Sequence, residues 1–194
     1  MNIILASKSP RRREILELLG LKFEIQTADA DETCDIREPS LLVETLARRK
    51  GEALLERRAA LGEDCDDTLV IACDTLVVAG EDILGKPRDR ARAKEMLLTL
   101  SGKSHSVYSG LYLSHNGRSV TRHAATEVES AKMTDSEIEK YLDSGEPFDK
   151  AGAYAVQGLA AVHIKGIKGD YFNVVGLPVN LLYETLKEEF GIVV

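Results

Sequence analysis

Long apolar runs are missing from this chain: nothing approaches the roughly 20 residues that would span a bilayer. A secretory leader is not expected either, because no basic segment precedes the short first apolar run, Ile3-Ile4-Leu5-Ala6. Cysteine is scarce and odd in number. Cys34, Cys65 and Cys73 lack metal-ligand spacing, which suits a reducing compartment better than a disulfide framework. Positive charge is in deficit, with 25 basic against 32 acidic residues and a net charge of −7. Duplex binding rests on broad phosphate neutralisation, so this balance argues against a nucleic-acid-coating protein. Aromatic residues, at 5%, form no basic-aromatic pattern for single strands. Walker A, GxGxxG and GxSxG motifs are absent too. The expectation is a cytoplasmic soluble protein with neither nucleic acid nor membrane as partner.

What is present begins at residue 3. The apolar run leads straight into Ser7-Lys8-Ser9-Pro10-Arg11-Arg12-Arg13. Ser9 suits an N-cap and Pro10 the first helical position, with Ile15, Leu16, Leu18 and Leu19 as the apolar stripe and Gly20 as the stop. A helix start of this kind gathers outward amide groups at the positive end of its dipole and binds anions. With three arginines beside it, phosphate is the natural ligand; a plain strand–helix corner with solvated arginines fits the segment equally well.

Further along, the pattern predicts a strand over Lys22–Ala28 and an acidic loop at Asp29–Glu32. A helix capped by Ser40 should follow to about Ala60, and beyond an acidic turn at Gly62–Asp67 an apolar strand over Thr68–Ala79. Asp89 should cap a helix ending at Leu100, and Asn116-Gly117 should turn a hairpin. Thr134-Asp135-Ser136-Glu137 reads as a capping box. A second hairpin is expected from Leu159–Ile167 and Tyr171–Val175, then a helix to about Phe190. These elements predict one α/β domain over 1–194, a mixed twisted sheet with flanking helices. Two lobes divide near residue 100, with no linker between them.

Four features carry chemistry. Asp74 lies inside the most apolar strand, where an ionised carboxylate is costly unless paired, hydrogen-bonded or metal-bound. Backbone amides or an arginine would satisfy it structurally, yet a functional acid is the favoured reading. Glu32 of the acidic loop is its candidate partner, a solvated loop acid being the plainer alternative. Lys50 falls within the apolar stripe of its helix, between Leu46 and Leu54, where a lysine either snorkels or serves a site. Lys86, between a glycine and a proline, can aim a point cation at phosphate or be a plain surface lysine. The four histidines read as structural. Taken together the set suits Mg²⁺-assisted chemistry on a nucleotide polyphosphate, since that ion takes one or two carboxylates plus phosphate oxygens.

These residues, in order, resemble the Maf family of nucleoside triphosphate pyrophosphatases along essentially the whole chain. The likeness rests on LASKSPRR (5–12), ACDT (72–75), LGKP (84–87), GEPFDKAGAY (145–154) with Gln157-Gly158, and VGLP (175–178). It implies a fold like that of the inosine triphosphate pyrophosphatases, with two lobes around a cleft. It also implies cleavage between the α- and β-phosphates with the help of Mg²⁺ or Mn²⁺, and a homodimer. The matched functional positions are Ser7, Arg12, Glu32, Lys50, Asp74 and Lys86. Glu32 and Asp74 would hold the metal, with Asp74 as proton acceptor. Arg11, Thr75 and Gln157 resemble the branch acting on dTTP and UTP, including modified uridine triphosphates, rather than on 7-methyl-GTP. Ala72-Cys73 and Ala155 depart from the family's usual glycine-alanine and glycine. Two rival readings are a non-catalytic nucleotide sensor controlling cell division and a purine pyrophosphatase directed at inosine or xanthosine triphosphate.

Overall fold

The computed structural model describes residues 1–63 and 67–193. Residues 64–66 of the expected acidic turn at 62–67, and Cys65 with them, lie outside those described. The chain opens with β1 (Asn2–Leu5), α1 (Pro10–Leu18), β2 (Glu24–Ile25) and the long α2 (Pro39–Ala60). Then come β3 (Thr68–Ala79), β4 (Asp82–Leu84), α3 (Arg90–Leu100), β5 (Ser104–His115), β6 (Arg118–Ser130) and α4 (Asp135–Asp143). Three short 3₁₀ segments, Glu146–Asp149, Ala151–Ala153 and Leu159–His163, precede β7 (Ile164–Lys168), α5 (Tyr171–Val175) and α6 (Val179–Phe190).

One seven-stranded sheet runs β2-β1-β3-β5-β6-β7, with β4 paired to β3. It is mixed, as expected: β1 lies parallel to both β2 and β3, whereas β3–β4 and β6–β7 are antiparallel. Short β1 aligns Ile4 with Val70 and Leu5 with Ile71, and all four side chains are buried, as in a strand covered on both faces. The β5–β6 turn carries Asn116 and Gly117 at positive φ, 49° and 75°, the pair of conformations a two-residue hairpin needs.

By compactness the chain forms two units. One holds Met1–Asp74, Ser109–Ala124 and the chain from Gly176 on; the other holds Thr75–Tyr108 and Ala125–Val175. Ile4, Ala6, Ala47, Leu54, Val70, Ala72 and Tyr112 cluster in the first. Leu84, Leu97, Val107, Val128, Ile138 and Leu142 belong to the core of the second. Among the described residues, no helix is long and apolar enough to cross a membrane, and Cys34 is a free thiol.

The structure departs from the sequence reading at three elements. The strand expected over 22–28 shrinks to Glu24–Ile25 at the sheet edge, because α2 captures the next residues: Arg58 donates to the Gln26 amide oxygen at 3.0 Å and Arg57 to the Thr27 carbonyl. Glu38, not Ser40, caps α2, its carboxylate accepting the Leu41 amide at 2.6 Å. The second hairpin does not form. Asp170 accepts the Phe172 amide and starts a helical turn, and Asn173 is buried, donating to the Val107 carbonyl at 2.9 Å and the Thr126 hydroxyl at 3.0 Å. β7 pairs with β6 instead.

Candidate active site

The end of β1, the start of α1, the middle of α2 and Asp74 of β3 converge in the first unit. Two glycines set how closely α2 lies on β5. A Cβ on Gly110 would stand 2.1 Å from the Val43 carbonyl oxygen, and one on Gly51 would stand 2.2 Å from the Tyr112 ring. Only glycine permits these approaches, and Gly51 is the residue after Lys50.

Lys50 therefore meets β3 at a defined height. Its ammonium donates to Asp74 Oδ1 and stands 2.9 Å from Glu32 Oε1. The Lys50 side chain is 22% exposed and Asp74 16%, so this carboxylate is partly accessible rather than buried as the strand pattern suggested. Burial works against the lysine's charge, but Asp74 first and then Glu32 outweigh it, and its pKa stands above that of an ordinary lysine. Glu32 itself is 64% exposed.

What holds an exposed loop glutamate in place is a residue the sequence reading passed over. Arg49 donates to the carbonyls on either side of Glu32, Asp31 O at 2.9 Å and Thr33 O at 2.8 Å. Asp31 accepts the Thr33 amide at 2.8 Å and tightens the same turn. The one available signal was adjacency to Lys50, since carbonyl recognition leaves no side-chain motif.

At the opening helix, Ser9 occupies the N-cap position, but its side chain makes no capping bond. Its amide donates instead to Ser7 Oγ at 3.2 Å, and Arg12 Nη1 donates to the same oxygen at 3.1 Å. A hydroxyl has two acceptor lone pairs and one proton. With both lone pairs engaged, Ser7 acts toward a third group as a donor, the polarity a phosphate oxygen requires. Arg12 also donates from Nε to Gly176 O at 2.8 Å and from Nη1 to Cys73 O at 2.7 Å. Its charge is thereby locked beside Ser7, one residue from Asp74 along β3. Arg11 is half-buried on the first turn of α1.

Over residues 2–189 the chain matches the family model described as Maf-like protein. The chain belongs to the Maf family. Among its similar relatives are three named dTTP/UTP pyrophosphatase. That of Desulforamulus reducens is 48% identical, covering 98% of this chain and 97% of the relative. Those of Caldanaerobacter subterraneus subsp. tengcongensis and Bacillus anthracis are 46% and 44% identical, covering 99% and 96% of this chain and 91% and 94% of the relatives. The Staphylococcus aureus Ham1 protein aligns over 97% of this chain and 100% of its own, with a TM-score of 0.51 at 15% identity. That likeness speaks to fold alone and agrees with the fold class expected.

The Maf motif residues of the second unit are placed as follows. Thr75 is half-buried on β3 and Lys86 is exposed. The carbonyl of Gly85 accepts the Gly152 amide at 3.1 Å, so the Lys86 loop is tied to the Ala151–Ala153 turn. Gln157 is exposed at the tip of a turn closed by Gly158 N–H donating to Ala155 O at 3.2 Å.

Two carboxylates converging on one cationic nitrogen are also the donor type a hard divalent cation prefers. Among the described residues, no group of three or more His, Cys, Asp and Glu side chains is arranged to hold a metal on its own. Glu32 and Asp74 are the two oxygen donors here that could hold such an ion.

Proposed function

We propose that this Maf protein hydrolyses dTTP and UTP between the α- and β-phosphates, releasing the nucleoside monophosphate and pyrophosphate. The observation that carries the reading is Lys50 joined to Glu32 and Asp74, beside a Ser7–Arg12 corner whose hydroxyl is left to donate. The pyrimidine assignment is supported by the names of the relatives.

In this reading Glu32 and Asp74 would hold Mg²⁺ or Mn²⁺, which supplies charge neutralisation at the triphosphate. Asp74 is the proton acceptor for the attacking water, its carboxylate oriented by Lys50. Ser7 donates to a phosphate oxygen. Arg12, Lys50 and Lys86 favour the charge that moves onto the leaving pyrophosphate, an electrostatic contribution that is greatest where groups are already fixed. Arg11, Thr75 and Gln157 read the base.

The test is pyrophosphate release from dTTP, UTP, CTP, GTP, ATP, ITP and 7-methyl-GTP with either metal, Asp74→Asn alongside. Selective release from dTTP and UTP, reduced at least about 100-fold in a folded Asp74→Asn protein, is expected. Release from ITP or 7-methyl-GTP alone overturns the pyrimidine reading. Nucleotide binding without turnover would establish the sensor instead.

A further inference from the structure

The segment Gly145–Leu159 displays Gln157, yet the group that shapes it lies at its opposite end. Tyr141, buried on α4, donates from its hydroxyl to Glu146 Oε1 at 2.8 Å. The same hydroxyl accepts the Ala155 amide at 3.2 Å. Glu146 Oε2 accepts the Leu159 amide at 3.0 Å. Ala155 and Leu159 are the two feet of the turn whose tip is Val156-Gln157, so Tyr141 and Glu146 grip both feet. Gly158 completes the fit, because a Cβ there would stand 2.3 Å from each Glu146 carboxylate oxygen. Below the turn, Lys150 donates to the Glu146 carbonyl at 2.8 Å, and the Glu146 amide donates to Ser144 Oγ at 3.2 Å.

All of these partners belong to one compact unit. A glutamate that accepts one hydroxyl and one amide, with a glycine pressed on its carboxylate, leaves the turn little freedom. A rigid turn lowers the ordering cost of any contact its exposed tip makes.

We propose that Glu146 is the positioning residue for base recognition: it holds the Ala155–Leu159 turn so that Gln157 meets the pyrimidine in one orientation. Glu146 itself touches no substrate. The proposal rests on the reading of Gln157 as a base contact, and it predicts an effect on discrimination and KM rather than on the chemical step.

Glu146→Ala, Glu146→Gln, Gly158→Ala and Gln157→Ala are compared on dTTP, UTP and CTP, with thermal unfolding and amide exchange of residues 155–159. Glu146→Ala and Gly158→Ala should raise KM for dTTP and UTP about tenfold, the scale of one or two lost hydrogen bonds, with kcat nearly unchanged. Exchange at the turn should quicken, and Glu146→Gln, which keeps one acceptor, should recover part of the loss. Glu146→Ala combined with Gln157→Ala should discriminate no worse than Gln157→Ala, since both act through one side chain. Should Glu146→Ala fail to fold, Gly158→Ala and Glu146→Gln carry the same test. Loss of kcat at constant KM, or intact discrimination in Glu146→Ala while Gln157→Ala loses it, overturns the positioning role. Intact discrimination in Gln157→Ala overturns the base reading and the proposal with it.

Discussion

Arg49 illustrates how a contact made by one residue escapes a motif. It touches neither carboxylate of the site, yet it fixes the backbone on both sides of Glu32. Arg49→Ala should lower kcat/KM for dTTP roughly threefold to tenfold, as expected for one or two lost hydrogen bonds to a loop. Because that loop is exposed, the melting temperature should barely move; a several-degree drop would make Arg49 a stability residue instead. His105 acts through pH. It is 4% exposed, shares a 2.8 Å hydrogen bond with the Tyr154 hydroxyl, and burial pushes its pKa from 6.5 down to about 4. Above pH 6.5 both folded and unfolded forms are neutral and the full stability is present. As pH falls from 6.5 toward 4, the unfolded chain takes up a proton that the folded protein refuses, and stability declines by up to on the order of 3 kcal/mol. His105→Gln should show a shallower decline of melting temperature over that window; parallel profiles would remove His105 from the account.

At the scale of the element, helix α2 carries Lys50 and Arg49 of the proposed site. Its glutamate cap, its arginines at 57 and 58 and the flush contact through Gly51 fix its place against β5 and the residues that follow β2. Gly51→Ala improves helix propensity by up to about 1 kcal/mol, but the added methyl meets the Tyr112 ring. Overpacking costs about 1–3 kcal/mol and should prevail, so urea unfolding should show a net loss together with reduced turnover, since Lys50 is the neighbouring residue. An unchanged or stabilised variant would mean that Tyr112 can rotate away. The elements legible beforehand were those with local causes: β3 by its apolar run, α3 and α4 by their caps, and the β5–β6 hairpin by Asn116-Gly117. Tyr171–Val175 was misread because its β-branched, aromatic composition suits a strand, while Asn173 is drawn inward by partners 47 and 66 residues away.

For the whole molecule, strands β3, β5 and β6 each continue from one compact unit into the other. Three of the four crossings, at 74/75, 108/109 and 124/125, thus fall inside strands, where no linker is needed, and the fourth, at 175/176, directly follows α5. Urea unfolding should accordingly be one cooperative transition, with circular dichroism and amide exchange in both units giving the same midpoint. Two separated midpoints would show units that unfold independently.

By itself the sequence determined what short-range chemistry controls: the mixed α/β elements, the apolar strand interrupted by Asp74, a lysine on the inward stripe of α2, and the motifs that mark a Maf protein. Those signals are legible because caps, periodicity and turn residues act within a few positions. Only the tertiary structure decided that Lys50 joins Glu32 to Asp74, that Arg12 is locked by the carbonyls of Cys73 and Gly176, and that Glu146 grips the turn bearing Gln157. Such contacts join residues distant in the chain, often through backbone atoms common to every amino acid, so composition and spacing carry no trace of them.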